Sequence, residues 1–144
     1  MVVSGASNAS QIGGIAGHTE LSGEISSCVN NGAVNYTGTG TPRIGGIVGY
    51  MNFPTDMKFK NCTNNGAVSS LAVGASTSTS YNYAGGITGY YGTGDGYGGS
   101  GVLYYENCIN NATISIDCGS ASTKFRNRAG GIASLVSAGT GTAT

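Results

Sequence analysis

Two short blocks alternate along this chain, and their alternation constrains the fold more than any other feature. The first reads Ile12-Gly-Gly-Ile-Ala-Gly17, Ile44-Gly-Gly-Ile-Val-Gly49, Ala84-Gly-Gly-Ile-Thr-Gly89 and, fading, Ala129-Gly-Gly-Ile-Ala-Ser134. The second reads Ser27-Cys-Val-Asn-Asn-Gly-Ala-Val34, Asn61-Cys-Thr-Asn-Asn-Gly-Ala-Val68 and Asn107-Cys-Ile-Asn-Asn-Ala-Thr-Ile114. Such alternation marks a repeat architecture, in which each unit packs on its neighbours.

The isoleucine after each Gly-Gly lies at 15, 47, 87 and 132, so the steps (47−15, 87−47, 132−87) are 32, 40 and 45. Helical-hairpin repeats keep their length, whereas stacked strands tolerate a loop that grows between them. Composition points the same way. Only 8% of residues are charged, against about 25% in ordinary domains. A chain this poor in Lys and Glu and rich in Gly, Thr, Ser and Asn suits strands and turns. No stretch carries an apolar period of 3.6, and the 27 glycines lack the three-residue period of collagen. The expectation is an all-β parallel solenoid with loop insertions, forming a single domain over 1–144. Its repeats fall at about 12–43, 44–83 and 84–128, with a partial one at 129–144 and an insertion at about 91–101.

Three strands are expected per repeat: the Gly-Gly-Ile block, the segment before the cysteine, and the segment after the Asn-Asn turn. One repeat then makes one rung; the alternative is two smaller rungs. Ile15, Ile47, Ile87 and Ile132 should form one inward column and Val34, Val68 and Ile114 another. Asn30, Asn64 and Asn110, or their neighbours Asn31, Asn65 and Asn111, should hydrogen-bond up the stack as a ladder. Cys28, Cys62 and Cys108 share one slot. Their spacings of 34 and 46 (62−28, 108−62) do not suit zinc, which takes closely spaced pairs. They read as a column of reduced, buried thiols, and the alternative to a free Cys118 is a bridge to Cys108. Ile25, Phe59 and Tyr105 lie three residues before the cysteines. Strand alternation sets them on the other face, so burying both sets requires a bend or bulge.

The run Arg43-Ile-Gly-Gly-Ile-Val-Gly-Tyr50 followed by Phe59-Lys-Asn-Cys-Thr-Asn-Asn-Gly-Ala-Val68 resembles the repeats of large secreted or surface proteins of anaerobic bacteria, including those that carry the GLUG motif. It is more distantly similar to bacterial polymorphic outer-membrane proteins and adhesins. The resemblance covers about residues 12 to 134. It implies a right-handed parallel β-helix, an extracellular or cell-surface location, and a role in adhesion or as a stalk. No catalytic residue accompanies the pattern. The last copy departs from it, with Ser134 in place of glycine and no Asn-Asn turn after it.

Several functions are disfavoured by the residues. Six Lys plus Arg balance six acids, so no basic stripe exists for a nucleic acid. No run of 18 apolar residues spans a membrane. No apolar signal segment follows Met1; either it is removed or export does not use one. The acids are scattered over different repeat positions, which argues against an enzyme and against any metal or other cofactor. His18 occupies the slot of Tyr50 and Tyr90, as a surface residue in a column. The glycine-rich run 93–101 lacks the Lys of a phosphate loop and the carboxylates of a calcium loop. Alternating threonines at 37–41, 77–79 and 140–144 need not align into an ice-binding array, and the four N-glycosylation sequons are expected by chance.

What remains is a non-enzymatic structural or adhesive module, facing a glycan or a host or cell-surface protein. A carbohydrate-binding reading would use the tyrosines crowded into 81–105, with Tyr81, Tyr83, Tyr90, Tyr91 and Tyr97 as its platform. A self-assembly reading would join Val2, Val3 and Ser4, which resemble the third strand of a rung, to the tail at Leu135 and Val136 of another copy. The result would be an end-to-end homo-oligomer or filament. The chain is then either complete in that sense or an excerpt of a longer solenoid.

Overall fold

A computed structural model describes residues 1–6, 10–20, 22–52, 56–73, 80–92, 102–119, 125–134 and 136–137. The chain opens with β1 (Val2–Ala6). A first set of five strands follows: β2 (Gln11–Gly13), β3 (Ala16–Thr19), β4 (Gly23–Ser26), β5 (Val29–Asn30) and β6 (Val34–Gly38). The second set is β7 (Arg43–Gly45), β8 (Val48–Met51), β9 (Met57–Lys60), β10 (Thr63–Asn64) and β11 (Val68–Ala72). The third is β12 (Ser80–Gly85), β13 (Thr88–Gly92), β14 (Leu103–Glu106), β15 (Ile109–Asn110) and β16 (Ile114–Asp117). The last strands are β17 (Phe125–Gly130) and β18 (Val136–Ser137).

Each set places one strand in each of five parallel sheets. Sheet A runs β1-β6-β11-β16, sheet B β2-β7-β12-β17, sheet C β3-β8-β13-β18, sheet D β4-β9-β14 and sheet E β5-β10-β15. The described residues contain no α-helix. The molecule is therefore all-β, with parallel strands stacked in layers, and is compatible with a β-solenoid. One repeat makes one layer: the Ile47 amide donates to the Ile87 carbonyl at 3.0 Å, and the Ile15 amide to the Ile47 carbonyl at 3.0 Å. The Ile87 amide donates to the Ile132 carbonyl at 2.8 Å.

Five strands per layer, rather than the expected three, follow from two backbone corners. The Gly-Gly block does not run straight. It breaks between Gly45 and Val48 in a corner so tight that a Cβ on Gly45 would sit 2.0 Å from the Val48 carbonyl oxygen, which is why glycine stands there. The second corner explains how both Phe59 and Cys62 are buried. Ser27, Asn61 and Asn107 hold φ of 55°, 53° and 51°. One left-handed residue reverses the facing of the chain. The bend demanded by the sequence register thus lies one residue before each cysteine.

Buried apolar side chains form three clusters among the described residues, the third made of Tyr50, Tyr83 and Tyr90. Ile47, Met51, Phe59, Cys62, Ile87 and Leu103 belong to the first, lined by sheets C and D. Ile12, Val34, Tyr36, Ile44, Val68 and Ala84 belong to the second, lined by sheets A and B. Both chain segments switch cluster at one place, where Gly46 faces Asn64. A Cβ on Gly46 would lie 2.3 Å from Asn64 Cγ. The glycine leaves the room that the asparagine fills, so the two sequence blocks are complementary parts of one cross-section.

Both asparagine columns form ladders. In the inner one, Asn30 Nδ2 donates to Asn64 Oδ1 at 2.8 Å, and Asn64 Nδ2 to Asn110 Oδ1 at 2.8 Å. In the outer one, Asn65 Nδ2 donates to Asn31 Oδ1 and Asn111 Nδ2 to Asn65 Oδ1, each at 2.8 Å.

Candidate functional site

Strand alternation in β12 turns Asn82 and Ala84 inward, where both are buried, and sets Tyr81 and Tyr83 on the opposite face. Stacking then builds columns. Arg43 pairs with Gln11 on one side and Tyr83 on the other, and Tyr83 pairs with Arg128. Next to it, Tyr50 lies between His18 and Tyr90 in sheet C, and Tyr81 lies against Arg126 in register.

The side chains interlock. The Arg43 guanidinium carbon lies 4.3 Å from the Tyr50 ring centroid and 4.8 Å from that of Tyr90. That of Arg128 lies 5.2 Å from Tyr81 and 5.8 Å from Tyr83, and that of Arg126 5.9 Å from Tyr81. The Tyr83 and Tyr90 rings meet edge-on at 4.8 Å, and His18 tilts against Tyr50 at 4.7 Å. Cations over ring faces are attracted by the ring quadrupole. Burial pushes the Tyr83 hydroxyl above its ordinary value, so it stays a neutral donor.

This arrangement changes the meaning of the tyrosines. Tyr83 and Tyr90 are only 6% and 8% exposed, covered in part by the arginines. Tyr91 lies in the first apolar cluster, inside strand β13 rather than in the expected insertion. Tyr105 stacks on Phe59 at 5.4 Å, and its hydroxyl bonds that of Thr88. Tyr81 is half-buried, and Tyr97 lies outside the described residues. Of the arginines on this face, Arg126 is exposed and Arg43 and Arg128 are half-buried, as Tyr81 is. Aligning the repeats on their first glycine does reveal this column, since Gln11, Arg43, Tyr83 and Arg128 all stand two residues before it.

The other singled-out residues are placed as follows. Ile47 and Ile87 are buried; Ile132 is half-buried and Ile15 is 52% exposed at one end of the column. Cys28, Cys62, Cys108 and Cys118 are all free. Burial, with the neighbouring Cys62 adding to it, pushes the Cys28 and Cys108 thiols up and leaves them protonated. In β1, Val2 pairs with Asn35, Val3 with Tyr36 and Ser4 with Thr37. Asn35 also pairs with Ser69, so Val2 stands in one row with Asn35 and Ser69 of sheet A. Val136 lies in β18, in sheet C, and Leu135 lies outside the described residues.

Among the described residues no group of three His, Cys, Asp or Glu gathers, and no helix is long and apolar enough to cross a membrane. Comparison with protein-family models, with curated proteins and with solved structures finds no match.

Proposed function

We propose that this chain is a right-handed parallel β-solenoid that serves as a non-enzymatic, extracellular structural or adhesive module. One observation carries the reading. The residues that recur in the repeat join one layer to the next: isoleucines and cysteines pack in columns, glycines form the corners, and asparagines bond in an inner and an exposed ladder. A recurrent pattern devoted to packing describes a scaffold. Right-handedness is the near-universal choice for connections between parallel strands of one sheet. The surface location rests on the resemblance to GLUG-like repeats of secreted proteins. Antibodies against the purified chain should label intact cells of its source, with the label lost on external protease treatment. Labelling only after lysis would overturn the reading.

The ends of the sheets favour a second reading, head-to-tail association. At one end β1 extends sheet A by a strand, and at the other β17 and β18 extend sheets B and C. The β1 of a second copy would fit beside β16, on the level of β17 and β18, so the two ends are complementary to each other and not to themselves. Sheets D and E, with three strands each, would lack a strand at that level, and the asparagine ladder would be interrupted there. Assembly should appear in electron micrographs as filaments that deletion of residues 1–7 abolishes. A monomer at all concentrations would exclude it.

A further inference from the structure

The geometry points to the arginine-tyrosine face as a binding surface for an acidic polysaccharide. All three arginines of the chain, Arg43, Arg126 and Arg128, lie on it. Among the described residues none of them pairs with a carboxylate: the ion pairs there join Lys58 and Lys60 to Glu106, and His18 to Glu20. With no acid partner among the described residues, the three arginines make this face cationic. The ring contacts hold the guanidinium groups in place before any ligand arrives, which lowers the ordering cost of binding. A guanidinium fork matches a carboxylate or a sulfate by two parallel hydrogen bonds.

The spacing suits a polymer. Arg43 and Arg128 stand on strands separated by one other, so their backbones are about 10 Å apart. Arg126 and Arg128 are two residues apart on one strand, about 7 Å. A chain bearing one anion per repeat unit can bridge such positions, with half-buried Tyr81 between them offering ring edge and hydroxyl to a sugar.

Other polyanions fit less well. A nucleic acid needs more cations for counterion release and open aromatic faces for its bases, and here Tyr50, Tyr83 and Tyr90 are buried. A membrane surface needs apolar side chains to insert. The exposed large apolar residues, among them Met1, Ile15, Val29 and Ile109, belong to other parts of the molecule.

The inference names a ligand for the module proposed above, and rests on that reading for where the ligand is met. The test uses the purified chain alone, so its failure leaves the surface-labelling result untouched. The chain is passed at low ionic strength over immobilised polygalacturonate, dextran sulfate, neutral dextran and duplex DNA. Retention is expected on an acidic polysaccharide, not on dextran, with release by salt. The R126A/R128A pair should weaken binding about tenfold or more, the loss expected for charge-assisted hydrogen bonds. Circular dichroism checks its fold, and R126Q, at an exposed side chain, should weaken binding about threefold at the loss of one 5.9 Å ring contact, that with Tyr81. K58A/K60A on sheet D should bind as the parent does. Passage through both acidic columns, undiminished binding by the folded arginine variants, equal loss in the lysine pair, or stronger retention on DNA would each overturn the assignment.

Discussion

Asn64 makes every hydrogen bond its amide can make. Its nitrogen donates to the Gly66 carbonyl at 2.9 Å and to Asn110 at 2.8 Å. Its oxygen accepts from Asn30 at 2.8 Å and from the Gly66 amide at 3.3 Å. Removing it strands partners inside the stack, so Asn64→Ala should cost about 3 kcal/mol in chemical denaturation. Asn65→Ala, one residue on and in the exposed ladder, should cost less than about 1 kcal/mol. The alternation of donor and acceptor that makes Asn30, Asn64 and Asn110 a ladder was legible from their shared slot. Which of the two asparagine columns faces inward was not, because the left-handed residue at Asn61 resets the facing and carries no hydropathy signal. Glu106 offers a residue-scale pH test. Hydrogen bonds from Lys58 and Lys60 hold its carboxyl below the ordinary carboxylate range. With the folded-state value lowered, the contribution is full above the unfolded value and is lost as pH falls through the folded one. The gap in melting temperature between the parent and Glu106→Gln should therefore close on acidification; a constant gap would show that the pair does not stabilise the fold.

At the scale of elements, the layers differ in only two of their five connections. The turns from sheet B to C, D to E and E to A keep their length, as at 46–47, 61–62 and 65–67. The unequal repeat lengths arise at A to B (39–42, then 73–79 and 118–124) and at C to D (20–22, 52–56, 93–102). The constant corners are the ones where side chains or backbones meet closely, as Gly46 does Asn64. About four residues added within 52–56 should cost about 1 kcal/mol or less, since closure entropy grows slowly with loop length. One residue added within 65–67 should unfold the layer, because it reverses the facing of Val68 and Ser70. Thermal melts of the two variants compare these directly. The repeat lengths announced insertions, and the run before residue 101 announced one of their places. The corners themselves were not legible, because a kink within Gly45–Val48 leaves the apolar pattern of the block unbroken.

Across the whole molecule, one repeat slot has different worth in different layers. Ile87 is fully buried between Ile47 and Ile132, while Ile15 is half open. Ile87→Ala should cost about 3 kcal/mol and Ile15→Ala less than about 1 kcal/mol. Amide exchange should slow from the outer layers toward the middle one; uniform protection would show that the stack opens as a single unit. The stacking of one repeat per layer was readable from the spacing of the blocks, but the burial of the tyrosines was not, since it needs Arg43 and Arg128 brought from other layers. The two asparagine ladders have a last consequence. The inner one donates toward later layers and the outer one toward earlier layers. Successive backbone amides do the same, with Val34 donating to Ala67 and Asn35 to Met1. An α-helix adds its peptide dipoles head to tail and carries charge at its ends. Here the ladders and the alternating strand amides oppose one another, while the corners do not. The amides of Gly46, Ile47 and Val48 all donate toward the later layer, so any field along the axis comes from the Gly-Gly-Ile corners.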